Sequence, residues 1–244
     1  MKTLVIIPSR LSATRLPGKP LLKINGLSII SHVFKKALEA NIGEVYVATE
    51  DKEIMDDVNN NGGQTILTGN THKTGTDRIF EALNKLGKSD IELVMNLQGD
   101  EPLMNIDDIR KLHTQMIKSK SNLGTLASNI LNEDLYKNEN IVKVITKENL
   151  NKSEFPEAIN FMRKTINTKK NIYHHLGIYC YRLKTLENFV SLTQSRNEIK
   201  YRLEQLRALD NNIKINVTLA KSSPIGVDTK DDFLAIKKIM EYKS

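Results

Sequence analysis

Thr3-Leu4-Val5-Ile6-Ile7-Pro8-Ser9-Arg10-Leu11-Ser12-Ala13-Thr14-Arg15-Leu16-Pro17-Gly18-Lys19-Pro20 is the stretch that decides how this chain folds. Apolar and β-branched residues run from Thr3 to Ile7, the mark of a buried strand, and Pro8 breaks the run. Pro17 and Pro20 stiffen the segment beyond the break, and Arg10, Arg15 and Lys19 make it basic. A strand therefore feeds a rigid cationic loop at its carboxyl end, the edge where open α/β sheets bind ligands. Three cations in one short loop require a polyanion, and a nucleoside triphosphate fits. Gly18-Lys19 precedes Pro20 and Leu21 rather than a Ser or Thr opening a helix, so the loop is not a P-loop. No Gly-x-Gly-x-x-Gly comes after the strand, which excludes a dinucleotide fingerprint.

Outward from this stretch, strands and helices alternate. Ser28 is placed to cap a helix whose Ile29, Ile30, Val33, Ala37 and Leu38 share one face. Val45–Thr49 predicts a second strand, and Asp51 a cap for a polar helix through Val58. Gln64–Leu67 and Leu93–Leu97 predict further strands, with helices over Thr76–Leu86 and Ile106–Met116. Repeated strand–helix–strand units imply an α/β fold with a mainly parallel sheet flanked by helices. The rhythm changes near Ser121. Thr125–Ile130, Val142–Thr146 and Tyr173–Tyr181 read as strands, and Asn132–Asn140 and Asn149–Glu157 as polar loops. Helices over Leu183–Val190 and Glu198–Leu209, a strand over Lys214–Leu219 and a helix over Asp231–Tyr242 close the chain. The expected organisation is one domain over residues 1–244, with a small mixed insertion at about residues 125–205 that flanks the site and carries a subunit contact.

Composition narrows the function classes. The formal net charge of +7 over 244 residues points to an anionic partner. No long Lys/Arg run with interleaved aromatics is present, so nucleic acid is not the expected one. No apolar run approaches the ~20 residues that cross a bilayer, so no membrane is expected. Cys180 is the only cysteine, so no intrachain disulfide can form, which suits a cytoplasmic location. Its apolar neighbours suggest a buried strand thiol rather than a nucleophile.

Three further motifs carry candidate chemistry. In Gln98-Gly99-Asp100-Glu101-Pro102, Asp100 comes just after a strand end and could hold Mg²⁺ against phosphate oxygens; a plain strand-to-turn Gly-Asp is the alternative. In Gly226-Val227-Asp228-Thr229-Lys230-Asp231-Asp232, Asp228 is either a second metal ligand or a helix cap, a task Thr229 or Asp231 could equally perform. In Thr74-Gly75-Thr76-Asp77-Arg78, Thr74 or Thr76 could cap a helix that carries Arg78 in its first turn. A cation there opposes the helix dipole, which hints at another role; an exposed surface Arg is the alternative.

Together these blocks resemble the 3-deoxy-manno-octulosonate cytidylyltransferase (CMP-Kdo synthetase) family. The resemblance extends in order through Asn25-Gly26, Val47-Ala48-Thr49, Val142-Lys143-Val144, His175-Leu176-Gly177-Ile178-Tyr179 and Leu203-Glu204-Gln205-Leu206-Arg207. It implies a GT-A-like nucleotidyltransferase fold, a homodimer, Mg²⁺, and transfer of CMP from CTP to the sugar acid Kdo for lipopolysaccharide core synthesis. Carried over by position, Arg10 and Lys19 would bind the CTP phosphates, with Arg15 in the same loop and Arg78 helping to hold the nucleotide. Asp100 and Asp228 would bind Mg²⁺, and Lys19, Arg10 and Asp100 would serve catalysis. Gln98, Arg163, His175, Glu204 and Gln205 would surround the sugar acid. A satisfied strand histidine is the alternative for His175, and a solvated helix face for Glu204 and Gln205.

The sequence departs from the family pattern on the sugar side. The family's Tyr-x-Ser-Arg and subsequent Ile-Pro read Asn160-Phe161-Met162-Arg163 and then Ile166-Asn167 here. Tyr201 replaces an acidic residue, and Cys180 a glycine. An alternative acceptor is thus another 2-keto-3-deoxy sugar acid, such as 8-amino-Kdo or a sialic-acid-like sugar, although Glu101, a Gln in relatives that use the amino analogue, favours Kdo. A nucleotide-binding protein without turnover and a nucleic-acid-binding module are the readings from other classes.

Overall fold

The computed structural model describes residues 1–12, 15–165 and 170–242. Ala13 and Thr14 of the N-terminal loop, and Ile166 and Asn167 of the divergent segment, lie outside the described residues. In chain order the elements are β1 (Lys2–Ser9), β2 (Lys23–Ile24), β3 (Leu27–Ser28), α1 (Ile29–Ala40), β4 (Glu44–Thr49), α2 (Lys52–Asn60), β5 (Thr65–Leu67), α3 (Gly75–Leu86) and β6 (Ile91–Asn96). Next come α4 (Ile106–Ser119), β7 (Leu123–Ser128), α5 (Asp134–Lys137), β8 (Lys143–Thr146), β9 (Ala158–Met162), β10 (Ile172–Arg182), α6 (Leu183–Ser191), α7 (Arg196–Tyr201), α8 (Gln205–Asp210), β11 (Asn216–Leu219) and α9 (Lys230–Glu241). The chain divides into two compact units, residues 2–106 with 224–244, and residues 107–223 with Met1.

In the first unit β6, β1, β4 and β5 pair in that order, all parallel. Leu4 to Ile7 of the central β1 are wholly buried, which is why that strand is apolar throughout rather than alternating. Ser28 caps α1 as predicted, accepting the Ser31 N–H at 3.2 Å. Thr74, one of the two candidates, caps α3 in a reciprocal box with Asp77. Thr229 caps α9 in the same way with Asp232, which releases Asp228 from capping duty. Asp51 stands at the start of α2 but makes no capping bond; its carboxylate instead accepts the Leu11 N–H at 2.7 Å. β2 and β3 form a two-residue hairpin over Asn25 and Gly26, both at positive φ. Ile24, Ile29, Val227 and Ile236 form a small core under α9.

The second unit is mixed. β7 pairs in parallel with β11 and antiparallel with β10, while β10–β8 and β8–β9 are antiparallel. The helix predicted over Glu198–Leu209 is two helices, because Arg202 takes a left-handed conformation (φ 54°) between α7 and α8. β9 arises from a segment whose apolar residues do not alternate cleanly, and the short α5 sits inside the Asn132–Asn140 stretch. Arg207 and Glu198 form a bidentate pair at 2.6 and 2.8 Å, with side chains only 3% and 4% exposed. The guanidinium also lies over the Phe189 ring, 4.7 Å from its centroid. Glu198→Ala deprives a buried cation of this carboxylate and should cost about 3–5 kcal/mol. Urea unfolding would measure it, and a loss below about 1 kcal/mol would contradict a structural role for the pair.

Candidate active site

Three segments of the first unit converge beyond the carboxyl end of β1: the loop that leaves it, the turn after β6, and the approach to α9. Gly99 permits the first approach, since a Cβ there would lie 3.0 Å from the Pro8 carbonyl oxygen and 3.1 Å from Ile30 Cδ1. Gly18, at φ 72°, opens the 3₁₀ turn Lys19–Leu21 and turns Lys19 inward. The Lys19 Nζ donates to Asp100 Oδ2, to the Val227 carbonyl at 2.8 Å and to Asp228 Oδ1 at 3.3 Å. Arg15 adds a second cation to Asp228 at 2.9 Å. The Val227 N–H donates to the Asp100 carbonyl at 2.9 Å, so backbone as well as charge holds the two acidic segments together. Thr229 rather than Asp228 caps α9, and Asp100 lies in the turn after β6 with its carboxylate on the Lys19 ammonium.

These groups border a cavity of about 350 Å³, together with Arg10, Arg78 and Gln98. Arg78 is not the exposed residue of the alternative reading. It is 3% exposed, ion-paired to Glu50, and donates to Thr68 Oγ1 at 2.5 Å and the Gly69 carbonyl at 3.2 Å. Its positive charge is thus largely answered inside the protein. Glu101, unassigned from sequence beyond its bearing on the acceptor, is pushed up to about 8, by burial first and then by Asp100 and Asp228. Its Oε2 is shut off from solvent with no hydrogen-bond partner among the described residues. A protonated Glu101 at neutral pH adds no third negative charge to the site.

The sugar-side candidates other than Gln98 lie in the second unit. His175 is buried, with Nε2 3.0 Å from Thr125 Oγ1 and its ring edge-on to Phe161 at 5.0 Å. Arg163 is committed to backbone, donating to the carbonyls of Glu139, Tyr201 and Arg202 at 3.0–3.2 Å. Glu204 precedes α8 and is partly buried, and Gln205 is buried, so neither is a solvated helix face. Sequence reasoning missed the support residues: Glu50 beneath Arg78, Asp51 beneath the N-terminal loop, and the wholly buried Lys143. Their one signal was charge placed at, or inside, a strand of apolar pattern.

Residues 4–215 match the cytidylyltransferase family. A 3-deoxy-manno-octulosonate cytidylyltransferase from Rhodopseudomonas palustris (strain BisB18) is 43% identical over 99% of this chain and 98% of its own length. The chain belongs to the 3-deoxy-manno-octulosonate cytidylyltransferase family. A relative of the same name from Afipia carboxidovorans is 42% identical over 98% of this chain and 96% of its own. Among solved structures, a CMP:2-keto-3-deoxy-manno-octonic acid synthetase complexed with CTP superposes with a TM-score of 0.89 at 32% identity, covering both chains fully. The α/β fold with a mainly parallel sheet, expected from the strand–helix rhythm, is the fold of this family.

Burial pulls His175 down to about 3, with His174 beside it adding to the effect, and His174 itself to about 4, where Lys143 adds to burial. Both imidazoles stay neutral in the folded chain, whereas the unfolded chain takes up protons near 6.5. Between those values the unfolded state binds more protons, so stability falls as pH drops from about 6.5 toward 3. Urea midpoints recorded from pH 7 to pH 4 should decline less steeply in His175→Gln than in the wild type; parallel declines would contradict a buried neutral His175.

Proposed function

We propose that the protein transfers CMP from CTP to 3-deoxy-manno-octulosonate, releasing pyrophosphate. The observation that carries this reading is the meeting of Asp100 and Asp228 at the Lys19 ammonium, in a cavity bordered by the cationic N-terminal loop. The family relationship narrows the nucleotide to CTP and the acceptor to Kdo rather than an amino or sialic-acid-like analogue.

The donor set fits Mg²⁺. Two carboxylates within reach of one ammonium form a hard-oxygen site of the kind that holds this ion against substrate phosphates. Asp100 and Asp228 would hold it, and bound Mg²⁺ supplies Lewis-acid stabilisation of phosphoryl oxygens and acidifies a hydroxyl beside it. The chain's own residues do the rest. Arg10, Arg15 and Lys19 bind and orient the triphosphate, and Arg suits bidentate phosphate contacts. The sugar hydroxyl attacks the α-phosphorus in line. A new O–P bond forms, the α–β bridging P–O bond breaks, pyrophosphate leaves with the electron pair and the hydroxyl proton passes to solvent. Lys19 and Arg10 stabilise charge on the departing pyrophosphate, an electrostatic and positional form of catalysis that needs no protein nucleophile. Gln98, Arg163, His175, Glu204 and Gln205 serve the sugar acid, and Arg163 does so through the backbone it holds.

We further read the enzyme as a cytoplasmic homodimer whose product enters lipopolysaccharide core synthesis. The exposed Leu131, Ile159 and Ile199 of the second unit, 90%, 55% and 62% exposed, supply apolar surface for a subunit contact.

Asp100→Asn should lower CTP- and Kdo-dependent pyrophosphate release at least about a hundredfold while circular dichroism stays unchanged. Near-normal turnover would remove Asp100 from the site. Lys19→Ala should raise the KM for CTP and lower kcat, and unchanged CTP kinetics would refute the role of the ammonium.

A further inference from the structure

The N-terminal loop is closed at its neck. The Gly18 N–H donates to the Leu11 carbonyl at 3.0 Å, so the residue after Arg10 and the residue before Lys19 are drawn side by side. The other polar group of Leu11, its N–H, donates to Asp51 Oδ2 at 2.7 Å. Asp51 is itself fixed, since its own N–H donates to Thr49 Oγ1 at 3.1 Å and Thr49 is wholly buried at the end of β4. Arg10 and Ser12 border the cavity, whereas Leu11 between them, and Asp51, do not. The carboxylate therefore grips the loop backbone at Leu11, while the flanking residues border the cavity.

The same end of β4 also supports Arg78, another residue that borders the cavity. The Thr49 carbonyl accepts the Thr68 N–H at 2.7 Å, and Glu50 pairs with Arg78, which in turn binds Thr68 and Gly69. Three consecutive residues, Thr49 to Asp51, thus brace two segments that border one cavity. Two of them are acidic although the expected ligand is a polyanion. That placement makes sense only if both carboxylates point into the scaffold rather than at the ligand.

We infer that Asp51 is a positioning residue for the nucleotide, setting the neck of the triphosphate loop through Leu11 and Gly18 and so pre-orienting Arg10 and Lys19. This rests on the assignment of the cavity to CTP. The group needed at position 51 is a hydrogen-bond acceptor of this length, not a negative charge.

Pyrophosphate release by the full chain, with CTP and Kdo varied separately, tests it on Asp51→Ala, Asp51→Ser and Asp51→Asn. The Ala variant loses the acceptor and the Ser side chain is too short to reach Leu11. Either should raise the KM for CTP about tenfold, the effect of losing one hydrogen bond, while the KM for Kdo stays within about twofold. Asn keeps an oxygen in place and should recover most of the loss. Calorimetry adds a readout independent of turnover: the deletion variants should bind CTP more weakly and cytidine as the wild type does. Unchanged CTP affinity, equal rises in both KM values, or an Asn variant as impaired as Ala would each overturn the positioning role. A wild-type protein that neither binds CTP nor releases pyrophosphate would instead overturn the nucleotide assignment, and this inference with it.

Discussion

Two carboxylates from distant parts of the chain repel one another unless a cation stands between them, and here the Lys19 ammonium does so. Much of the first unit serves that arrangement. β1 delivers the loop, Gly18 turns Lys19 inward, Gly99 lets the Asp100 turn cross the end of β1, and Thr229 relieves Asp228 of capping α9. The Lys19 side chain is only 14% exposed, so water screens these interactions less than at a surface. The site therefore sets two carboxylates and the cations of the N-terminal loop around one cavity.

Charge elsewhere is disposed of by neutralisation or by hydrogen bonding. Glu101 sits where a third carboxylate would be costly and is held toward its neutral form by burial and by its two acidic neighbours. Arg78 is answered by Glu50 and Arg207 by Glu198. In the second unit Lys143 Nζ donates to the carbonyls of Asn138, Ile141 and Arg163 at 2.6–2.7 Å, while burial draws it down to about 8. Arg163 then grips the Tyr201 and Arg202 carbonyls, so a chain of basic side chains on backbone oxygens sets the turn that leads into Glu204 and Gln205.

The parallel half of the fold was legible because its cues are local. A continuous apolar β1, the Ser28 cap and most of the face of α1 need no knowledge of distant partners, although Leu38, expected on that face, is 47% exposed and Phe34 and Ala40 are buried instead. The break between α7 and α8 was not legible, since Arg202 adopts a left-handed conformation that its side chain does not announce. Asp51 was misread as a cap for a related reason: an acidic residue before a helix has a local use that sequence favours, while its actual partner, Leu11, lies in another loop. In the site, Lys19, Asp100 and Asp228 could be named from motif chemistry, and their convergence emerged only from the fold. The partners of Arg78, Glu101 and Lys143 depend on tertiary surroundings, so a misplaced charge could mark Arg78 and Lys143 but not say what answers them.

A double-mutant cycle in pyrophosphate release tests the central claim most directly, with Asp100→Asn, Asp228→Asn and the two combined. If the carboxylates act as one site, the second substitution adds little to the loss caused by the first, and the double variant turns over about as slowly as the worse single. Losses that multiply would mean that Asp100 and Asp228 work independently, and would contradict the convergence on which this account of the enzyme is built.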